Sequence, residues 1–397
     1  MKDNLYKISN FKDIDPFLMS ITSADNHWMY ISSSGCLSAG RQKAEHALFP
    51  YVTDDLLHKN AHFTGPITCI SIDVNNKRYS WRPFSNQIDN YKKNQNLYKN
   101  SLGNKIVFEE INHTIGLTFL YSWQASGRYG FVKKTKLLNH SGKKLNIKLI
   151  DGLRNILPAG VSLRTQQEMS NLANAYKVSE CNSDDNYALY YMNALLMDKP
   201  DPGESLFSNI VWSHSSENIE LSVNEKSIST FLSNDEFEKD HLLKGKEGSF
   251  LNYIQKPLPS GHEMTWYIIA DVQKSQSDIS AIISDLKDSD RIAKKLEKSL
   301  ADNYSAFEKN IGMADGFQCT ELKTNDLHHT ANVTYNVLRG GIFFDNYNIQ
   351  KNSFILFLQK RSKKTFEAYQ ADINQLPDSF NIKDLIKFGD KLNIPSI

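Results

Sequence analysis

The sequence predicts a mainly β protein with a helical C-terminal part: antiparallel sheets packed face to face, then helices. Three observations carry this. Up to residue 273, short apolar-rich runs are split by clusters of Asn, Gly, Ser and Pro, the punctuation of strands and turns. Aromatics are plentiful, with 18 Tyr, 21 Phe and 5 Trp, and such side chains pack well on pleated surfaces. Beyond Ser275 the apolar spacing changes from two residues to three or four, the period of a helix face. With 397 residues, 40% apolar and 23% charged, the chain is long enough for two or three domains and is folded rather than disordered.

The elements follow in order. Ile67 to Val74 alternates at period two, and Asn75-Asn76 offers a turn. Ile106 to Glu110 and Thr114 to Trp123 read as strands joined around Asn112-His113. Gly130 to Leu138 is a strand, Asn139 to Gly142 a turn, and Leu145, Ile147 and Leu149 alternate on the return strand. Residues 207–232 read as further short strands, and Glu263 to Val272 as a strongly apolar central one. A helix start at Ser277-Asp278 leads into Ile279, Ile282, Ile283 and Leu286. A second, at Asp288 to Asp290, leads into Ile292, Leu296, Leu300, Tyr304, Phe307 and Ile311, with Gly312 as a cap. Leu327 to Leu338 and Asn352 to Gln370 read as helices separated by Arg339-Gly340-Gly341, and Ile382 to Phe388 as a short amphipathic piece. Two or three helices are not expected to bury a core of their own, so this end reads as an incomplete helical domain.

Composition excludes several functions. Net charge is +1, so no global field attracts nucleic acid or anionic lipid. The basic runs Lys143-Lys144 and Lys360 to Lys364 are short, solvated surface. Four widely spaced cysteines give neither a disulfide framework nor a zinc knuckle and suit a reducing compartment. No apolar run reads as a signal peptide or a membrane span, so the expected address is the cytoplasm. Phosphate-loop, dinucleotide, metalloprotease and nucleophile-elbow motifs are missing, so no cofactor and no metal is expected. His328-His329 point about 100° apart on a helix and make no metal face. The doublets Asp54-Asp55 and Glu109-Glu110 do not show the facing geometry of a glycosidase pair, because neighbours on a strand face opposite sides.

Segments rich in Trp, Arg, Asp, Asn and Tyr are more suggestive of sugar binding. They are residues 22–55, 121–131 and 335–347. Aromatic faces stack on sugar rings while Arg, Asp and Asn bond hydroxyls; the bland alternative is loop anchoring and core packing. The substrate-binding candidates are Trp28, Arg41, Trp123, Arg128 and Tyr129, with Arg339, Asp345 and Asn346 after the Gly-Gly break.

These segments also carry a resemblance. Asp25 to Asp55 (DNHWMYISSSGCLSAGR…ALFPYVTDD), Gly130 to Val132 with Asn139-His140, DGLRNILP at Asp151 to Pro158, and NVTYNVLRGGIFFDNY at Asn332 to Tyr347 resemble the cellobiose-phosphorylase-like family, in order, through most of the chain. The resemblance implies a galactose-mutarotase-like β-supersandwich over 1–273, a helical linker over 274–314 and the first helices of an (α/α)6 barrel over 315–397. It implies cleavage of β-glucosides by inorganic phosphate as co-substrate, with inversion, or hydrolysis in some relatives. A barrel Asp would protonate the leaving oxygen. That residue and the family's sugar-binding Arg-Asp segment are expected beyond Ile397 and map onto no position here. The expectation is a part without catalysis of its own, with an oligosaccharide ligand and either a homodimer or a separately encoded barrel as partner. A stand-alone carbohydrate-binding or scaffolding module is the first rival. A complete epimerase-like sandwich using His27, His46, His62 or His113 is the second.

Overall fold

The computed structural model describes residues 5–52, 54–74, 77–85, 90–194, 205–338 and 347–393. It divides into two compact units, Met1–Tyr304 and Ser305–Ile397.

The first unit is built on two antiparallel sheets. The larger has ten strands, in the order Leu5–Ile8, Lys93–Asn100, Ile106–Asn112, Leu117–Ser126, Gly130–Asn139, Glu263–Lys274, Ser208–Ser215, Tyr187–Met192, Lys177–Asn182 and Leu242–Lys244. The smaller has five, in the order Glu220–Ser222, Gly248–Leu258, Leu145–Ile156, Gly65–Val74 and Lys77–Trp81. A three-stranded sheet, Leu18–Ile21, His27–Ser32 and Leu37–Arg41, carries the aromatic N-terminal segment. Alternation fixes register: Leu149 pairs with Ile70 on one side and Ile254 on the other, so three inward apolar residues stand in a row.

Chain order at the centre is unusual. Gly130–Asn139 lies in the larger sheet and Leu145–Ile156 in the smaller; Gly248–Leu258 lies in the smaller and Glu263–Lys274 in the larger. Two arches therefore pass from sheet to sheet side by side. Their corners are tied together. Asn139 N donates to His262 O at 3.1 Å and Gly261 N to Asn139 O at 2.8 Å. The buried Asn139 amide donates to the carbonyls of Lys143 (2.7 Å) and Leu258 (2.8 Å).

Between the sheets lie Trp81, Phe119, Trp123, Phe131, Leu153 and Trp266, all buried. An ion pair sits among them. Lys133 Nζ lies 2.6 Å from Asp151 Oδ1, and both side chains are 0% exposed. Asp151 also accepts from Thr68 Oγ1 (2.7 Å) and Trp266 Nε1 (2.7 Å), so its lone pairs are met. Burial pulls the Lys133 pKa down while Asp151 pulls it back up.

Each outer face is covered by helix. On the larger sheet, Ile282, Ile292, Leu296 and Leu300 pack on Tyr129, Val132, Ile210, Trp212 and Ile269. On the smaller, Ile228 and Phe231 pack on Ile67, Cys69, Ile150 and Leu251. The result is four layers, helix–sheet–sheet–helix.

Several local expectations are corrected. Thr114 lies in the turn, and the strand starts at Leu117. Lys226–Asn234, expected as strand, is a helix, because Ile228 and Phe231, three apart, fall on one helical face. The first linker helix is capped two residues earlier than expected, by a Ser275/Asp278 capping box. Gly312 lies inside Ser289–Met313 rather than capping it. The cap is a Schellman turn with Asp315 at φ +57°: Gly316 N donates to Ile311 O (2.9 Å) and Asp315 N to Gly312 O (3.1 Å). The Asn75-Asn76 turn lies outside the described residues.

The second unit contains helix Lys323–Leu338, then a compact module of hairpin Asn348–Gln350/Ser379–Asn381 and helices Lys351–Arg361, Lys363–Asn374 and Ile382–Lys391. The expected single helix over Asn352 to Gln370 is two, broken at Ser362 (φ −147°), whose hydroxyl lies 2.7 Å from Thr365 Oγ1. Contrary to expectation the module buries a core of its own: Phe354, Leu358, Phe366, Ile373, Leu376, Phe380 and Leu385. Ile373→Ala is expected to remove about 2–4 kcal/mol from this module. Hydrogen exchange would then rise across 347–393 and stay unchanged in the sandwich; an even rise across the chain would refute an independent core.

Candidate functional site

A polar cluster that includes the sequence-predicted Arg41 forms where the 22–27 loop, the 126–129 turn, the end of strand Glu263–Lys274 and helix Ser289–Met313 meet. Asp271 anchors it. Arg41, the last residue of its strand, forks onto the Asp271 carboxylate, Nε to Oδ1 at 2.7 Å and Nη2 to Oδ2 at 3.2 Å. Lys274 Nζ lies 2.6 Å from Asp271 Oδ2, and Val272 N donates to Oδ1 at 2.9 Å. Arg41 also donates to the carbonyls of Ser126 (3.4 Å) and Gly127 (3.1 Å) and to Asn26 Oδ1 (3.3 Å). The Asp271 side chain is 1% exposed, so two cations and one carboxylate are held largely out of water.

Beside this triad is His27. Its Nδ1 lies 3.1 Å from Ser23 Oγ, and its ring meets Phe131 edge-on at 5.1 Å. Nε2 is buried without a partner among the described residues. Burial, reinforced by Arg41 and Lys274, pushes the His27 pKa down to about 3. Asn303 donates to Ser23 Oγ (3.1 Å) and Asp25 Oδ2 (2.6 Å), and Ser299 Oγ lies 2.6 Å from Ser126 Oγ.

A Ser beside a His suggests an activated nucleophile, but the electrostatics oppose it. An imidazole with a pKa so far below neutrality is a weak base, and Asp271 serves cations instead of orienting the ring. What the cluster does is pin helix Ser289–Met313 and two loops to the sandwich. His27 should leave a pH signature. The unfolded state takes up a proton near pH 6.5, the folded state only near 3. Stability is therefore full above pH 6.5 and falls between 6.5 and 3, by up to about 1.4 kcal/mol per pH unit. Urea midpoints from pH 7 to 4.5 should fall less steeply in His27→Gln than in the wild type; equal slopes would contradict this.

The structure separates the sequence-predicted residues. Trp28 donates from Nε1 to Lys43 O (3.2 Å) and lies edge-on to Tyr51 at 5.8 Å, packed against a small cluster around Ala47, Leu157 and Val161. It anchors a loop. Trp123 is 0% exposed in the inter-sheet core and offers no face to a sugar, which corrects its assignment as a binding residue. Tyr129 is likewise buried, packed at 5.8 Å on Trp212. Its hydroxyl donates to Asp285 at 3.0 Å, and exposed Arg128 pairs with the same carboxylate at 2.6 Å. Together they fasten helix Gln276–Leu286 to the larger sheet. Arg339, Asp345 and Asn346 lie outside the described residues. Of the candidates among the described residues only Arg41 belongs to the cluster, and Asp271, Lys274, Ser23, Asn303 and the role of His27 were not foreseen. A charge closing the apolar run EMTWYIIADV was the single sequence signal for Asp271. Among the described residues no His, Cys, Asp and Glu side chains group as metal ligands.

Residues 343–394 match glycoside hydrolase family 149 insertion domain 1, and this span coincides with the self-contained helical module. No curated protein matches the chain. Solved structures similar to it include a bacterial glucoamylase complexed with acarbose, at 8% identity and TM-score 0.38, covering 74% of this chain and 37% of that one. A candidate kojibiose phosphorylase from the human microbiome has 11% identity and TM-score 0.33, covering 62% and 27%. A candidate aldose 1-epimerase from Escherichia coli K12 has 7% identity and TM-score 0.32, covering 65% and 99%. The chain thus spans about a third of the glucoamylase and about a quarter of the phosphorylase. The family match is confined to residues 343–394 and describes this module.

Proposed function

We propose that this glycoside phosphorylase- or hydrolase-like chain is the sandwich-bearing part of an enzyme acting on β-glucosides, and that it does not turn over substrate by itself. The observation that carries the reading is the insertion-domain match on the 343–394 module, C-terminal to a sandwich whose interior is filled by side chains. The polar cluster at Arg41 supports a structural role for the sandwich, since its charges are spent on one another and its histidine is a weak base. In this reading 1–273 is the supersandwich, 274–314 the linker and 315–397 the start of a barrel interrupted by the inserted module. The ligand is an oligosaccharide and the partner a second copy or a separately encoded barrel. Inorganic phosphate is the co-substrate if the whole enzyme is a phosphorylase, and no other cofactor is required. The address is the cytoplasm, which fractionation checks.

The test is an assay of the purified chain against a panel of β-glucobioses and glucose 1-phosphate, following phosphate release or uptake. The expected result is no turnover alone, and turnover once a barrel polypeptide is supplied. Turnover by the chain alone would overturn the non-catalytic assignment. Sugar binding without turnover in either condition would favour a stand-alone binding module.

A further inference from the structure

A cavity of about 110 Å³ in the first unit, sharing no lining residue with the Arg41 cluster, is lined in part by Gly35, Thr68, Arg82, Phe84, Tyr121 and Arg154. Arg82 and Arg154 both line it, and no Asp or Glu is among its described lining residues. Arg154 is 5% exposed. Its Nη atoms donate to the carbonyls of His62 and Ala61, and Glu225 stands 3.6 Å from Nη1. Its Nε–H is buried with no acceptor among the described residues. Such a donor is expensive to leave unmade, more so on a charged group. Burial pulls the Arg154 pKa down and the Arg82 charge adds to this, with Glu225 opposing.

The loop carrying Arg82 is held in a costly conformation. Phe84 has φ +61°, in the left-handed region that a bulky residue seldom enters, at a cost of about 1–3 kcal/mol. Two contacts impose it. The buried Glu110 carboxylate accepts from Phe84 N at 2.6 Å and from Trp81 Nε1 at 2.7 Å, and Lys12 Nζ donates to Phe84 O at 2.9 Å. Backbone strain held by a buried carboxylate at the mouth of a doubly cationic cavity is the mark of a preorganised site.

We propose that this cavity binds a tetrahedral oxyanion, of the size of inorganic phosphate or sulfate, between Arg82 and Arg154. The anion relieves the repulsion between the two guanidinium groups, and the planar fork of Arg82 suits such oxygens. The cavity volume of about 110 Å³ accommodates a small oxyanion. The proposal is independent of the glycoside-active reading and assigns no catalytic step.

The experiment titrates inorganic phosphate, and separately sulfate, into the wild-type chain at constant ionic strength set with chloride. Melting temperature is one readout; modification of Arg82 by phenylglyoxal, mapped by mass spectrometry, is the other. The expected result is a saturable rise in melting temperature with matching protection of Arg82. Arg82→Lys, which keeps the charge but loses the fork, should weaken the effect about tenfold. The modification readout needs no variant, so a poorly folding Arg82→Lys leaves the test intact. Unchanged modification of Arg82 up to saturating phosphate would overturn the site, and so would an equal thermal response in the variant. Protection by acetate or glucuronate without protection by phosphate would overturn the tetrahedral assignment.

Discussion

Lys133→Met is expected to lower the stability of the fold by about 3–5 kcal/mol, the range found when one member of a buried ion pair is removed. The reasoning starts from burial. Both side chains are 0% exposed, so loss of the ammonium leaves a carboxylate between two sheets with no cation to balance it. Thr68 and Trp266 still donate to Asp151, but neutral donors do not replace the Lys133 charge. A typical domain has only about 5–15 kcal/mol to lose, so the midpoint of urea unfolding should move visibly. The double variant Lys133→Met/Asp151→Asn should recover part of the loss, because it removes the orphaned charge and keeps an acceptor for Thr68 and Trp266. A single variant as stable as the wild type would show that the pair contributes nothing.

Asp271→Asn should be the second large effect, about 3 kcal/mol. Here one carboxylate serves two cations, Arg41 and Lys274, and His27 beside them cannot share the load because it is neutral. Without the carboxylate charge the two cations repel each other at the place where loop 22–27 meets helix Ser289–Met313. The loss should be local before it is global. Hydrogen exchange should rise first in residues 22–27 and 295–304, where Ser23, Asp25 and Asn303 are bonded to one another. Uniform exposure across the sandwich would show that the cluster does not fasten this corner.

The sequence made the sheets legible because strand alternation is a local signal. Ile67 to Val74, Gly130 to Leu138 and Glu263 to Val272 were all recognisable from neighbouring residues alone. Helix Lys226–Asn234 was missed because three apolar residues in nine, Ile228, Phe231 and Leu232, are a thin stripe, and its capping residue makes no side-chain bond. The site was harder still. Asp271 meets Arg41 across 230 positions, and Asn303 meets Ser23 across 280, distances at which no spacing rule operates. Aromatic residues misled for the opposite reason. Trp123 and Tyr129 have the composition of a sugar platform, but composition cannot say which side chains the fold turns inward. Arg154 lay in the DGLRNILP motif, and nothing there foretold that its Nε would be left without an acceptor among the described residues.

The paired arches at the centre of the sandwich also bear on how the chain is made. Strands Gly248–Leu258 and Glu263–Lys274 leave the ribosome last among the described strands of the two large sheets, yet each fits between earlier strands of its own sheet. Until they arrive, Gly130–Asn139 lacks one neighbour and Leu145–Ile156 lacks another, and Trp266 is not there to meet Asp151. The nascent sandwich is thus a pair of open halves, with long loop closures still to be made. A single late hairpin-like segment closes both at once, as the last stone closes a vault. Chains stopped at residue 247 should therefore be found with chaperones or proteases, and chains that reach residue 274 should not.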